Sequence, residues 1–565
     1  MDQRRLVPFI IFILSLVMLW NGWIEFNRPT APATPPAIPG TSPTPQATAS
    51  ADDTIPAPSA SLSPNTALLG VTPPSTGTVP RIKVVTDVFT AEVSAEGGSI
   101  VRLELTRHRA KGDPEHGFVI FDDGREHIFE SESGLLGMDL PTHRTLFTLP
   151  AGDQTLAADA DKLVVRLEAP EIDGLRIAKL LTFTRGSYLI DIDYEIHNAR
   201  GAPLTAQAYF QFLRDSKPVE QASGFGGFGV QTFTGPAFYT YADKFQKVSF
   251  EDIAANKAKF TRDASDGWVA MVQHYFVSAW LPPQGMNRSY FATRKTSEDR
   301  YTAGVLLPVM VGAGETGMVS SRLYVGPQEQ AKLEDIAPGL ELVVDYGMLT
   351  VIAAPLFWVL SWLYGLTGNW GWAIILVTIL IKLIFFPLSA ASYKSMAKMR
   401  VLGPRLQRLK ELYGNDKAKM QQEMMNLYRN EKINPLGGCL PILVQIPVFL
   451  ALYWVLLGSV EMRHAPWLGW IQDLSARDPY FILPVIMGAS MLIQMKLNPS
   501  SPDPLQAKIM MAMPIIFTFM FLWFPSGLVL YWVVNNILSI AQQWQITRMI
   551  ESGGKPRKAA NDARM

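Results

Sequence analysis

Apolar residues fall into long unbroken runs near the two ends of this chain and into short alternating runs between them. The first run follows Arg4-Arg5 and extends from residue 6 through Trp20 to Trp23 and Ile24, about nineteen residues, the length of one bilayer crossing. Basic residues ahead of it predict an amino terminus in the cytoplasm. A cleavable signal peptide begins the same way, and Ala31 and Ala33 follow, but Trp20, Trp23 and Phe26 stand where small residues are wanted. The pattern favours an uncleaved signal anchor over 1–28. Residues 29–80 are mostly Pro, Ala, Thr and Ser, the composition of an extended disordered tether.

From 81 to 326 the runs are short and alternate, as in KLVVRLEA from Lys162 and GVLLPVMVG from Gly304, with Gly, Asp, Asn and Pro between them. Period-two patterning with turn punctuation predicts a mainly antiparallel β-sandwich. It follows a membrane crossing and is expected on the periplasmic side. The last third returns to apolar segments at 348–366, 370–388, 436–457, 480–497, 509–524 and 528–540.

Charge decides how many of these cross. Between 389 and 433 stand Lys394, Lys398, Arg400, Arg405, Arg408, Lys410, Lys417, Lys419, Arg429 and Lys432, against Glu411, Asp416, Glu423 and Glu431. Positive loops stay in the cytoplasm, which requires that 348–366 lie flat at the periplasmic interface, where Trp358, Trp362 and Tyr364 suit an interfacial helix. The expected fold is a polytopic α-helical membrane protein with six transmembrane helices and a periplasmic β-domain. Its parts are the anchor 1–28, tether 29–80, sandwich 81–326, interfacial region 327–368, helical core 369–545 and basic cytoplasmic tail 546–565, which carries Arg548, Lys555, Arg557, Lys558 and Arg564. Within the core, 389–433 reads as a helical hairpin: Leu402, Leu406, Leu409 and Tyr413 repeat at helical spacing, as do Met420, Met424, Leu427 and Tyr428. Gly414-Asn415 supplies the turn and Asp416 a cap.

Lys382 lies inside the run WGWAIILVTILIKLIFFPL, five residues before Pro387. A charge at that depth costs on the order of 3 kcal/mol unless it reaches water or a partner. One reading lets the side chain snorkel to the headgroups. The other turns it inward, where Thr378 shares its face and other spans carry Gln445, Gln494, Asn535 and Asn536, groups that also serve as plain interhelical hydrogen-bond partners. The core spans contain no acidic residue, so the inward reading requires a hydrated cavity open to the cytoplasm. Met510, Met511, Met513 and Met520 with Phe517, Phe519 and Phe521 make one span soft and aromatic, fit for packing, for lipid or for varied apolar partners.

Composition narrows the chemistry. The 565 residues are 48% hydrophobic and 18% charged, and 50 basic residues balance 50 acidic ones, which excludes a disordered chain and a generic basic nucleic-acid binder. Cys439 is the single cysteine, so neither an internal disulfide nor a zinc module is available. Gly224, Gly226 and Gly229 match a dinucleotide fingerprint formally, but the surrounding pattern is β. Walker A, HExxH and GxSxG motifs are absent, so no cofactor, metal or enzymatic activity is expected.

Four strings stand together in order: VDYG from Val344, YKSMAKMR from Tyr393, NPLGGCLPILVQIPVFLALYW from Asn434 and FLWFPSGLVLYWVVNN from Phe521. They resemble the YidC family of membrane protein insertases of Gram-negative inner membranes, over essentially the whole chain. The resemblance implies a β-supersandwich, a five-helix insertase core, and a polar groove open to the cytoplasm and to lipid. It places Lys382 where the family usually carries Arg. It implies Thr378, Gln445, Asn535 and Asn536 as groove-lining groups, and Tyr531 and Trp532, with Met513 and Phe517 of the soft span, as contacts for a client helix. Nascent membrane proteins and the lipid bilayer are the implied partners, with the Sec translocon. The basic hairpin and tail suit ribosomes and targeting factors, since ribosomal RNA is polyanionic, and equally suit topology determination alone. Two other classes remain on residues alone: a solute transporter or channel, though no internal repeat supports it, and a membrane-anchored carbohydrate-active enzyme, since sugar mutarotases share the sandwich fold.

Overall fold

The structure, a computed structural model, describes residues 56, 79–110, 113–124, 127–217, 233–295, 298–413, 416–431, 440–497 and 504–553. The signal anchor, nearly all of the tether, the three fingerprint glycines, the Gly414-Asn415 turn, Lys432, Cys439 and the tail from 554 lie outside the described residues.

Alternation builds the sandwich. In the strand Leu189–Asn198 every second residue is buried, so Ile190, Ile192, Tyr194 and Ile196 share one face. This strand pairs antiparallel with Leu175–Thr184 and with Thr316–Pro327 inside an eight-stranded sheet. In a ten-stranded sheet, Leu204–Arg214 lies antiparallel between Tyr301–Val311 and Phe129–Leu136. The two sheets close on an aromatic core: the Trp280 ring lies 5.1 Å from Phe210 and 5.8 Å from Phe212, and Tyr194 lies 6.3 Å from Phe210. The expected mainly antiparallel sandwich is present. Both sheets end in edge strands, among them Lys162–Glu168 and Lys244–Lys247, so the domain is open rather than a closed supersandwich.

Two short helices, α1 (Phe250–Ala254) and α2 (Gln330–Ile336), decorate the sandwich, and the chain then enters α3 (Thr350–Thr367). Gly368, at φ 64°, stops α3 in the left-handed conformation that glycine adopts without strain. Asn369 caps α4 (Trp370–Ile384) by accepting the Trp372 N–H at 3.2 Å. The run expected to cross as one span over 370–388 is broken: α5 (Phe386–Val401) leaves at 67°. Pro387 explains the break, because it has no N–H for the Leu383 carbonyl and its ring would collide with that carbonyl in a continuous helix.

The hairpin follows as α6 (Gly403–Tyr413) and α7 (Lys417–Asn430). Asp416 caps α7 through the Lys419 N–H at 3.0 Å, and Arg405 ties the two helices through Glu431 at 2.7 Å. The remaining helices are α8 (Leu440–Gly458), α9 (Ile482–Leu497), α10 (Pro504–Phe521) and α11 (Ser526–Gly553). The last runs well past the apolar segment 528–540, because no breaker interrupts it before Gly553.

Among the described residues α3 alone is long and apolar enough to span a bilayer by itself, and α4 with α5 reaches that length only as the bent pair. The segment that charge lays flat is thus the one that length would let cross. Its packing is distinctive. Trp370, at the start of α4, stacks on Tyr364 at 4.1 Å and lies 6.5 Å from Phe357, so α3 passes over the end of α4.

Sandwich and helices meet around the loop after α8. The Arg463 guanidinium rests over the rings of Phe118, Phe276 and Tyr275 at 5.0, 5.2 and 5.7 Å. His108 faces Phe276 at 5.6 Å, and burial beside Arg463 lowers its pKa to about 4. Burial raises Glu461 to about 7, with its Oε2 shut off from solvent and Glu329 nearby.

Candidate functional site

Lys382 sits in the last turn of α4, one turn above Thr378, and is 4% exposed. Its ammonium donates to the Ser539 hydroxyl at 2.7 Å, and Ser539 donates onward to the Asn535 carbonyl at 2.7 Å. The side chain therefore points inward, against α11, and does not snorkel. The free carbonyls at the end of α4 favour a cation there. No Asp or Glu occurs in α4, α8, α9 or α10, so this ammonium has a hydroxyl partner but no carboxylate from those helices. In this conformation it is closed off from solvent rather than standing in open water.

Asn536 is buried and donates to the Ser490 hydroxyl of α9 at 3.0 Å. Gln543, two turns further along α11, donates to the Leu497 carbonyl at 3.2 Å. Thr378 donates to the Ile374 carbonyl of its own helix at 2.6 Å, so it adds a small polar lining and no interhelical bond. Gln445 and Gln494 are half-buried on α8 and α9. The structure brings Lys382 and Asn535 together through Ser539, a residue the sequence reading did not single out. Its signal was its place four residues after Asn535, on the same helical face.

The opposite end, towards the sandwich, is tied shut. Asp478, 1% exposed, accepts the Trp470 indole N–H at 3.0 Å, the Tyr480 N–H at 3.0 Å and the Leu483 N–H at 2.7 Å. The same loop meets the start of α11, where the Ser526 N–H donates to Ala476 at 2.7 Å and the Gly527 N–H to Leu474 at 2.9 Å. Asn369 donates from the start of α4 to the Pro466 carbonyl at 3.0 Å. The polar interior thus belongs to the hairpin half of the bundle, behind a hydrogen-bonded cap.

The expected client contacts divide. Tyr531 is buried against Phe449 at 6.0 Å, and half-buried Trp532 meets Phe449 at 4.9 Å and Phe521 at 5.6 Å. Both stand inside an aromatic cluster, where a client helix would reach them only after α8 and α11 part. Phe517 is half-buried beside Phe521, whereas Met513 is exposed on α10 with Met511, Ile515, Ile516 and Phe519. On α8 the exposed apolar residues are Val444, Ile446 and Leu450. Among the described residues no cluster of His, Cys, Asp and Glu is placed to hold a metal ion.

Comparison with known proteins matches the chain to two family models, "YidC periplasmic domain" over residues 81–359 and "60Kd inner membrane protein" over residues 362–553. The chain is 67% identical to the membrane protein insertase YidC of Aromatoleum aromaticum, over 98% of this chain and 100% of that protein. It is 53% identical to the membrane protein insertase YidC of Dechloromonas aromatica, over 100% of both. Among solved structures it is similar to an active YidC insertase crystal structure with the first transmembrane domain resolved. That likeness has 19% identity, a TM-score of 0.39, and covers 82% of this chain and 91% of the other.

Proposed function

The chain belongs to the YidC family of membrane protein insertases of the bacterial inner membrane, and from that premise we propose that it inserts clients through the polar interior around Lys382. The client's short hydrophilic tail enters from the hairpin side, which is the cytoplasm. There the Lys382 ammonium attracts acidic groups on the tail, and Thr378, Gln445, Asn535 and Asn536 supply hydrogen bonds along a hydrophilic groove open to the cytoplasm. The single observation that carries this reading is the inward-facing cation, 4% exposed, whose bond to Ser539 is to a neutral group and can be exchanged for an arriving carboxylate.

Helix length supports a shortened path. The 15 residues of α4 span about 22 Å before the bend, against a hydrocarbon core of about 30 Å. A bilayer meeting such a helix thins locally, which lowers the barrier for a polar tail. The client's apolar segment moves along the exposed faces of α8 and α10, and it reaches Tyr531 and Trp532 where α8 and α11 part. Each Leu-like residue gains a few tenths of a kcal/mol on entering the bilayer, so insertion proceeds without nucleotide hydrolysis.

Both chain termini and the basic hairpin lie in the cytoplasm, and the anchor with five core helices makes six crossings. The passage of α3 over the end of α4 supports an interfacial α3, with exposed Trp358 and Trp362 at headgroup level. The hairpin and tail receive ribosomes and targeting factors, and the family resemblance adds the Sec translocon as a partner.

The test is reconstitution of the full-length protein in proteoliposomes with a single-span client whose translocated tail carries Asp and Glu. Lys382→Arg retains insertion, Lys382→Ala lowers it and Lys382→Glu lowers it most. Equal insertion by all three removes Lys382 from the mechanism.

A further inference from the structure

Tyr393 opens the string YKSMAKMR and stands about two turns into α5, beyond the bend. Its face of α5 packs inward: Ser389, Ser392 and Ala397 are buried at helical spacing around it, while Lys394 and Lys398 are exposed. Tyr393 itself is half-buried and keeps an accessible side. Its phenol hydrogen-bonds to the Ser539 hydroxyl, the same group that takes the Lys382 ammonium at 2.7 Å. A serine hydroxyl has one hydrogen and two lone pairs. The Ser539 hydrogen is committed to the Asn535 carbonyl at 2.7 Å, so both neighbours donate to its oxygen. Two donors, one of them charged, therefore converge on a single point from two helices set at 67°.

Convergent donors define the acceptor they fit. No Asp or Glu occurs in α4 or α5, and on α11 the acid Glu551 lies 12 residues beyond Ser539, about 18 Å along the helix. Among the described residues of these three helices the two donors meet no resident anion. A carboxylate has two oxygens, enough to accept from the ammonium and the phenol at once, and a hydrogen bond to an ionised acceptor is about twice as strong as one between neutral groups. A side-chain amide has nearly the same shape but offers one neutral oxygen. The pair of donors thus favours Asp and Glu over Asn and Gln.

We propose that Tyr393 is the second donor of a carboxylate site: an Asp or Glu side chain of the client tail takes the place of Ser539 and accepts from the Lys382 ammonium and the Tyr393 phenol together. The assignment rests on the insertase reading above and adds to it a residue that sets which tails are favoured. Ser539 holds the two donors in register between clients. Tyr393, on the hairpin side of the bend, is the first of the two to meet an arriving tail.

The experiment compares two single-span clients in proteoliposomes of the full-length protein, identical except that the tail Asp and Glu of one are Asn and Gln in the other. The readout is the ratio of their insertion rates, which a general loss of stability does not move. Tyr393→Phe, which removes one oxygen and keeps the ring, lowers the acidic-to-amide ratio by about tenfold, the lower end for one hydrogen bond to a charged group. The same change in a Ser539→Ala protein lowers the ratio by a similar factor, because the client supplies the acceptor. A tyrosine that only props Ser539 would have no effect on the ratio in that background. If Lys382→Ala leaves the ratio at its wild-type value, the Lys382 reading falls and this site with it. If Lys382→Ala lowers the ratio and Tyr393→Phe does not, or does so only while Ser539 is present, the Tyr393 assignment alone is overturned.

Discussion

The Lys382 ammonium and the Ser539 hydroxyl meet at 2.7 Å across the junction of α4 and α11. Neither residue alone accounts for the arrangement. A cation in the last turn of a helix without a carboxylate partner needs an acceptor, and the hydroxyl on the facing helix supplies one without pinning it as a carboxylate would.

Ser539→Ala should therefore destabilise the protein in detergent by about 1.5 to 3 kcal/mol, the range for a hydrogen bond to a charged group. Lys382→Met, which removes the buried charge, should cost less in the Ser539→Ala background than in the wild type. A double-mutant cycle from thermal unfolding reads this coupling, and additivity of the two changes would contradict it.

Pro387 interrupts the path from α4 into α5. Pro387→Ala restores a backbone N–H for the Leu383 carbonyl and should straighten the 67° bend. Spin labels placed on either side of Phe385 should move apart, and insertion of the acidic-tailed client should fall as Lys382 comes to lie farther from the cytoplasmic end of a longer helix. An unchanged label distance would show that packing, not the proline, sets the bend.

Arg463 holds the sandwich to the helices through three aromatic rings. Arg463→Ala should cost about 2 kcal/mol of docking energy, as expected for desolvated cation–π contacts. Amide exchange should accelerate in the turn 272–276 and around Phe118 while the bundle stays protected. Arg463→Lys should restore part of the protection.

Glu461 gives the same joint a pH dependence. Its pKa is about 7 in the folded protein, against 4.5 for a free glutamate, so the docked state holds a proton that the undocked state releases. Docking is then strongest below the free value, weakens as pH rises through the window from 4.5 to 7, and is weakest above it. Facing groups Glu329 and Lys332 of the opposing segment shape the response without reversing its sign, and His108, lowered to about 4, stays neutral across most of the window. Protease accessibility of the joint should rise over that window in the wild type and stay flat in Glu461→Gln.

Features encoded within a few residues were the legible ones. Asp416 could be read as a cap because a capping side chain reaches only the backbone of the next turn. The alternation from Leu189 to Asn198 likewise settled which side chains face inward. For Lys382 the residues left two directions open, and the choice depended on a hydroxyl 157 positions away. Arg463 gave no sign of its role, since Phe118 and Phe276 belong to distant strands. Pro387 was visible, but a proline near the end of an apolar run reads as a span boundary, and the angle of departure depends on the packing of α5. The family resemblance offered Tyr531 and Trp532 as contacts for a client, and their stacking on Phe449 lay beyond reach because residue type alone cannot tell an outward aromatic from an inward one.

The open edges of the sandwich acquire a meaning in a family of membrane protein insertases, which handle unfolded chains. An unpaired strand is a template on which any extended peptide can add itself, and a domain standing near such traffic risks becoming the seed of an aggregate. Here the edge strand Lys162–Glu168 carries Arg166, clamped between Glu168 and Glu195 at 2.6 Å each, and the edge strand Lys244–Lys247 has lysine at both ends. These charges repel adventitious strand pairing, so passing cargo does not become a permanent extra strand.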